Sequence, residues 1–134
     1  MENGLILQWE KNKHIIEKWF YELENASYTK YLDIVKFLFE NVLKPNEDNE
    51  FDVESITLID DGDYQGTYLF IIPIETYQPN EKEYYVTTVS YGSCSGCDTL
   101  QGIFDYSDDI DKQKVEDLMS LALHLVQKTK KIYE

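Results

Sequence analysis

Residues 67–74, TYLFIIPI, are apolar at nearly every position from Tyr68 to Ile72. A strand with one wet face alternates apolar and polar side chains. One that does not alternate lies inside a sheet or beneath helices. Pro73 has no amide to donate, so it suits the end of that strand or a sheet edge. The chain must then supply neighbouring strands and helices to cover them. Residues 51–60 alternate toward a strand, with Val53, Ile56 and Leu58 as the apolar positions. Residues 84–91, YYVTTVSY, form a third strand from types that fit a pleated, half-buried surface. DDGDYQG (60–66) is turn chemistry, and TYQPNEKE (76–83) holds Pro79-Asn80 as the next turn. Connections this short join strands antiparallel, as a meander.

Helical spacing flanks this block on both sides. Ile15, Ile16, Trp19, Phe20 and Leu23 follow Asn12, which is placed to cap the helix they imply. Leu5, Ile6, Leu7 and Trp9 fit either a short strand or the first turns of that helix. Asn25, Ala26 and Ser27 break the pattern, and Ser27 or Thr29 suits the N-cap of a second helix. There Tyr31, Ile34, Val35, Leu38 and Val42 make a stripe that Leu32, Phe39 and Leu43 widen, which predicts burial on more than one side. Pro45 ends it, and PNEDNE (45–50) is a polar, acidic loop.

Residues 99–104 fit a short helix or a fourth, edge strand. YSDDID (106–111) reads as an acidic helix start. Val115, Leu118, Met119, Ala122, Leu125, Val126 and Ile132 line one face of a terminal helix whose last turns carry Lys128, Lys130 and Lys131. The expected fold is α+β: a three- to four-stranded antiparallel sheet packed against two N-terminal helices and one C-terminal helix. One domain spans residues 1–134, long enough to bury a core without a metal or disulfide framework.

Twelve basic residues against 26 acidic ones give a formal charge of −14. Such a field repels phosphate backbones and attracts basic surfaces, which argues against direct nucleic-acid binding. The bland alternative is a charge that serves solubility. Eleven tyrosines supply sheet packing, contact area at an interface, or both. No apolar run reaches membrane-spanning length, and MENGLILQWE is too short and too acidic for a signal peptide. The expectation is a cytoplasmic protein whose two cysteines are free thiols.

Those thiols, Cys94 and Cys97, sit at C-x-x-C spacing in YGSCSGCDTLQ, residues 91–101. Gly92 and Gly96 would let the chain turn through positive φ. Two cysteines are half a tetrahedral zinc site, and His14 and His124 lie in remote helical segments. A thioredoxin-like site needs a long helix after the motif and a later proline. Here Gly102 and an acidic loop follow instead, and Asp98 disfavours a thiolate. The expected reading is a structural turn with small cysteines packed beneath it and Asp98 accepting backbone amides or capping the next segment. Redox and metal chemistry at Tyr91, Gly92, Cys94, Gly96, Cys97 and Asp98 remain the alternatives.

The same eleven residues, with the tyrosine-rich strand before them, resemble a motif of small uncharacterised bacteriophage and prophage proteins. That resemblance implies a phage-like accessory protein and carries no catalytic residues. Nucleotide-binding, metalloprotease and serine-hydrolase patterns are missing from the sequence. Asp60, Asp61 and Asp63 lack the alternating ligands of an EF-hand and read as a hairpin turn.

The expected function is therefore a non-enzymatic, cofactor-free binding protein. It would occupy a basic groove on a host nuclease or defence complex, as anti-CRISPR and anti-restriction proteins do, by nucleic-acid mimicry. The alternatives are a C-x-x-C redox or metal protein and a structural accessory of a phage particle. Three acidic clusters are the candidate contacts, each expected in a loop: Glu47, Asp48 and Glu50; Asp60, Asp61 and Asp63; and Asp108, Asp109 and Asp111.

Overall fold

The structure, a computed structural model, describes residues 2–62, 66–75, 83–92 and 98–132. Helix α1 (Glu2–Tyr21) buries Leu5, Trp9, Ile16 and Phe20 along one side. The residues that fitted either strand or helix are therefore helical. Asn12 is no cap: it lies inside α1, and its side-chain amide donates to the Val42 carbonyl at 3.1 Å.

After a 3-10 turn (Ala26–Tyr28), α2 (Tyr31–Phe37) starts at Lys30. Neither Ser27 nor Thr29 caps it. The Asp33 carboxylate reaches back to the Lys30 amide at 2.9 Å, and Ser27 is bonded elsewhere. A π turn (Leu38–Val42) continues α2, closed by Leu43 N–H donating to the Leu38 carbonyl. Leu38, Phe39, Val42 and Leu43 are all buried there, so this helix is enclosed on more than one side, as its wide stripe predicts.

The sheet is antiparallel in the order β1-β2-β3-β4: β1 (Thr57–Gly62), β2 (Gly66–Pro73), β3 (Tyr84–Tyr91) and β4 (Lys130–Lys131). The first strand starts later than its apolar alternation suggested. Phe51 makes a single bridge to Ile74, and Val53–Ser55 turn as a 3-10 helix before β1 begins. It also runs further, so Asp60 and Asp61 stand in a strand, not in a loop. Gly66 pairs with Gly62, and an added Cβ there would run into the Asp61 carbonyl oxygen.

Phe70, Ile72, Tyr85, Thr87, Val89 and Tyr91 face the helices and are buried. β2 is central, yet its other face, with Leu69 and Ile71 beside Ile59 and Val86, lies outside the core. Apolar side chains on both faces of β2 thus reflect a central strand more than a doubly covered one.

Residues 99–104 form a helix, α3 (Thr99–Phe104), and the fourth strand comes from the C-terminal end. Helix α4 (Lys112–Lys128) buries Val115, Leu118, Ala122, Leu125 and Val126. It stops before Lys130 and Lys131, which the sequence reading placed in its last turns. Thr129 takes extended backbone, and its hydroxyl and that of Thr87 both donate to the Leu125 carbonyl at 2.7 and 2.8 Å. That carbonyl has no onward helical donor, so two threonines satisfy it and the chain turns into the sheet. Ile132 leaves the apolar face and is exposed. Among the described residues no helix is long and apolar enough to cross a membrane.

Candidate functional site

An acidic side chain just before a helix accepts amides that have no partner inside the helix. Asp98 does this for α3 and more. Its Oδ1 accepts from Gln101 N–H at 3.0 Å, and Oδ2 accepts from Gly92 N–H at 2.8 Å, at the end of β3. The Tyr31 hydroxyl, from the first turn of α2, donates to Oδ1 at 2.8 Å and accepts from Leu100 N–H at 3.0 Å. Gln101 Nε2 closes the ring by donating to the Gly92 carbonyl at 3.0 Å. Asp98 is only 6% exposed, so three donors from separate elements hold one buried carboxylate.

The sequence reading of Asp98 as an amide acceptor and cap matches these bonds. Gly92 differs from expectation: it does not take positive φ, and it is buried with both backbone groups engaged. Cys94, Gly96 and Cys97, and with them the question of thiol or metal chemistry, lie outside the described residues, as does Asp63.

This ring forms one wall of a cleft of about 460 Å³. The Tyr31, Tyr68, Phe70, Leu100 and Phe104 side chains line it, with Leu58 of β1 and Ser27 at its margin. Tyr68 stacks on Tyr91 with ring centroids 4.2 Å apart, and the Tyr91 hydroxyl donates to the Asp60 carboxylate. Ser27, which lines the cleft, donates both its hydroxyl (2.5 Å) and its amide (2.8 Å) to Asp108. Exposed Tyr28 and Tyr106 flank that tie.

Asp98 lines the cleft itself, whereas Asp60 is bonded to Tyr91, which stacks on the lining Tyr68, and Asp108 is bonded to the lining Ser27. Lys30 is the basic residue lining the cleft. Burial first, and then Asp60 and Asp98, push the Tyr68 phenol above its ordinary range. Ser27's hydroxyl and amide hold Asp108 below the usual carboxylate range. The Ser27–Asp108 tie is therefore kept at neutral pH and lost only as pH falls through that lowered value.

The other acidic candidates are placed differently. Asp111 caps α4, accepting from Lys114 N–H at 2.8 Å, and the Asp109 carbonyl accepts from Lys114 Nζ. Glu47 lines a second cleft, of about 420 Å³, with Lys11, Glu40 and Lys44, where charges of both signs mix. Asp48 N–H donates to Asn46, and Glu50 stands 3.9 Å from Lys44. Tyr31, Tyr68, Ser27 and Gln101 were not candidates in the sequence. Tyr31 and Tyr68 counted there as apolar positions, and nothing in a linear pattern links Tyr31 to an aspartate 67 residues on.

Tyr31 gives the site a pH signature. Burial is the main cause raising its phenol well above the ordinary value; the Asp98 bond adds to it and the Leu100 amide opposes it. A tyrosine whose folded pKa exceeds its unfolded value, about 10, contributes stability that is complete below pH 10 and drains away above it. The expected slope is up to about 1.4 kcal/mol per pH unit. In urea titrations from pH 9 to 11, the stability gap between wild type and Tyr31→Phe should narrow as pH rises; a constant gap would contradict this placement.

No family model matches this chain, and neither a curated protein nor a solved structure matches it.

Proposed function

We propose that the protein is a non-enzymatic acidic binding protein that occupies the basic, nucleic-acid-binding surface of a host nuclease or defence protein. The observation that carries this reading is the aromatic-lined cleft built on Asp98, with Asp60 and Asp108 bonded to Tyr91 and Ser27 next to its lining. Among the described residues the ion pairs Lys13–Glu10, Lys18–Glu22 and Lys44–Glu50 are all exposed, and none of their members lines the cleft. Exposed Tyr28, Tyr106 and Leu58 add contact area beside the opening. A partner seated there would lose access to its phosphate-bearing ligand.

The test is capture from host lysate followed by association kinetics on the isolated partner. Association should be fast at low salt and fall steeply as the screening length shrinks from about 10 Å at 0.1 M to about 3 Å at 1 M. Reversing Asp60 and Asp61 to lysine should slow it by about ten-fold, and reversing Glu47 and Asp48 by clearly less. Replacing Cys94 and Cys97 by serine should leave it unchanged. Binding indifferent to salt overturns the reading, and stoichiometric zinc or loss of function in the folded serine variant would replace it with thiol or metal chemistry.

A further inference from the structure

We propose that the cleft receives an arginine side chain of the basic partner, its guanidinium bonded to the Tyr68 hydroxyl and to Asp98 Oδ2. This rests on the reading of the protein as an acidic binding protein and names the group that its site recognises.

Hydrogen-bonding capacity inside the cleft points to a donor. Among the described residues Asp98 Oδ1 already accepts two bonds, from Tyr31 and Gln101, while Oδ2 accepts one, from Gly92. A carboxylate oxygen takes two, so Oδ2 keeps a site. The Tyr68 hydroxyl makes no hydrogen bond among the described residues, although it stands in the field of two carboxylates. Negative surroundings favour the approach of a cationic donor to both oxygens.

Shape and solvation select the cation. At about 460 Å³ the cleft falls within the about 300–1,000 Å³ of ordinary ligand sites, with space for a long side chain and part of the backbone bearing it. Its walls are largely aromatic and aliphatic. A planar, weakly hydrated guanidinium with several in-plane donors loses less on entering such a space than a compact ammonium does. Its flat face also packs against rings. Asp60, bonded to Tyr91, and Asp108, bonded to the lining Ser27, add two negative charges against the single charge of Lys30, so a basic segment is drawn to the cleft before the side chain enters.

The experiment titrates the full chain, labelled with ¹⁵N, with N-acetyl-Arg-Arg-amide, its Lys-Lys counterpart, and the neutral Cit-Cit isostere (Cit, citrulline). The Arg peptide should shift the Tyr68, Gly92, Leu100 and Gln101 amides, with the Lys peptide several-fold weaker and the citrulline peptide silent. Tyr68→Phe removes one oxygen without disturbing the Asp98 ring and should weaken the Arg peptide by about ten-fold. Asp98→Asn should weaken it further, and Tyr68→Phe remains decisive if that variant does not fold. Equal response to citrulline, shifts confined to the Glu47–Glu50 loop, or unchanged affinity in Tyr68→Phe overturns the proposal. Each such result leaves salt-dependent partner binding intact, so failure here is distinct from failure of the acidic-binder reading.

Discussion

Asp98→Ala is expected to cost about 3–5 kcal/mol and to lower the melting temperature by about 10–20 °C. The carboxylate is nearly buried, and its removal strands three donors at once: the Tyr31 hydroxyl and the Gly92 and Gln101 amides. An unpaired buried donor costs about 1–3 kcal/mol, and water admitted by the neighbouring cleft recovers part of the total. Asp98→Asn separates charge from geometry. Its amide oxygen can stand at Oδ1 and keep Tyr31 and Gln101, but its NH₂ group then faces the Gly92 N–H, donor against donor. The expected loss is about 1–3 kcal/mol. Urea denaturation of both variants checks the order, and a loss below about 1 kcal/mol in the alanine variant would show that the ring contributes little.

Phe51→Ala should be comparably severe, at about 3–5 kcal/mol, for a different reason. Phe51 is 4% exposed and meets Phe39 of the π turn edge-on at 4.9 Å and Tyr85 of β3 at 5.1 Å. Its ring is the middle of three that tie the helical layer to the sheet. Alanine loses the buried area and leaves a void that those neighbours cannot fill without breaking their own packing. Phe51→Leu keeps most of the volume and should cost less than about 1.5 kcal/mol. Thermal denaturation that ranks leucine near wild type and alanine far below supports a packing role. Equal losses would assign the effect to the backbone bridge with Ile74.

Particular elements show how far the linear pattern reached. The continuous apolar run at Tyr68–Ile72 implied an interior strand, and β2 is one, paired on both sides. The wide stripe from Tyr31 to Leu43 implied a deeply buried helix, and its side chains are buried apart from Leu32, which is partly so. Both inferences succeed because burial leaves a periodic mark that each residue carries by itself. Boundaries were less legible. Asn12 has the chemistry of a cap, yet it sits within α1 because the apolar positions of Leu5 and Trp9 continue its buried face. Lys130 and Lys131 look helical beside Lys128, but Thr129 finds a better partner in the Leu125 carbonyl than in another helical turn.

The residues around Asp98 divide the same way. By itself the sequence determined that Asp98 follows a run of small residues and precedes a segment able to start a helix. A short carboxylate there bonds local amides whatever the rest of the chain does, and the Gln101 and Gly92 bonds lie within six residues of it. Only the tertiary structure decided that Tyr31 completes the ring, that the Tyr68 hydroxyl stands beside it with no hydrogen bond among the described residues, and that Asp60 and Asp108 bond Tyr91 and Ser27 next to the same cleft. Those positions are brought together by the packing of helices on one face of a four-stranded sheet. The partners of Asp108 and Ser27, 81 residues apart, leave no periodic trace in either segment. Local hydrogen bonding can be read from neighbours in the chain, whereas the meeting of distant charges depends on how the whole core closes.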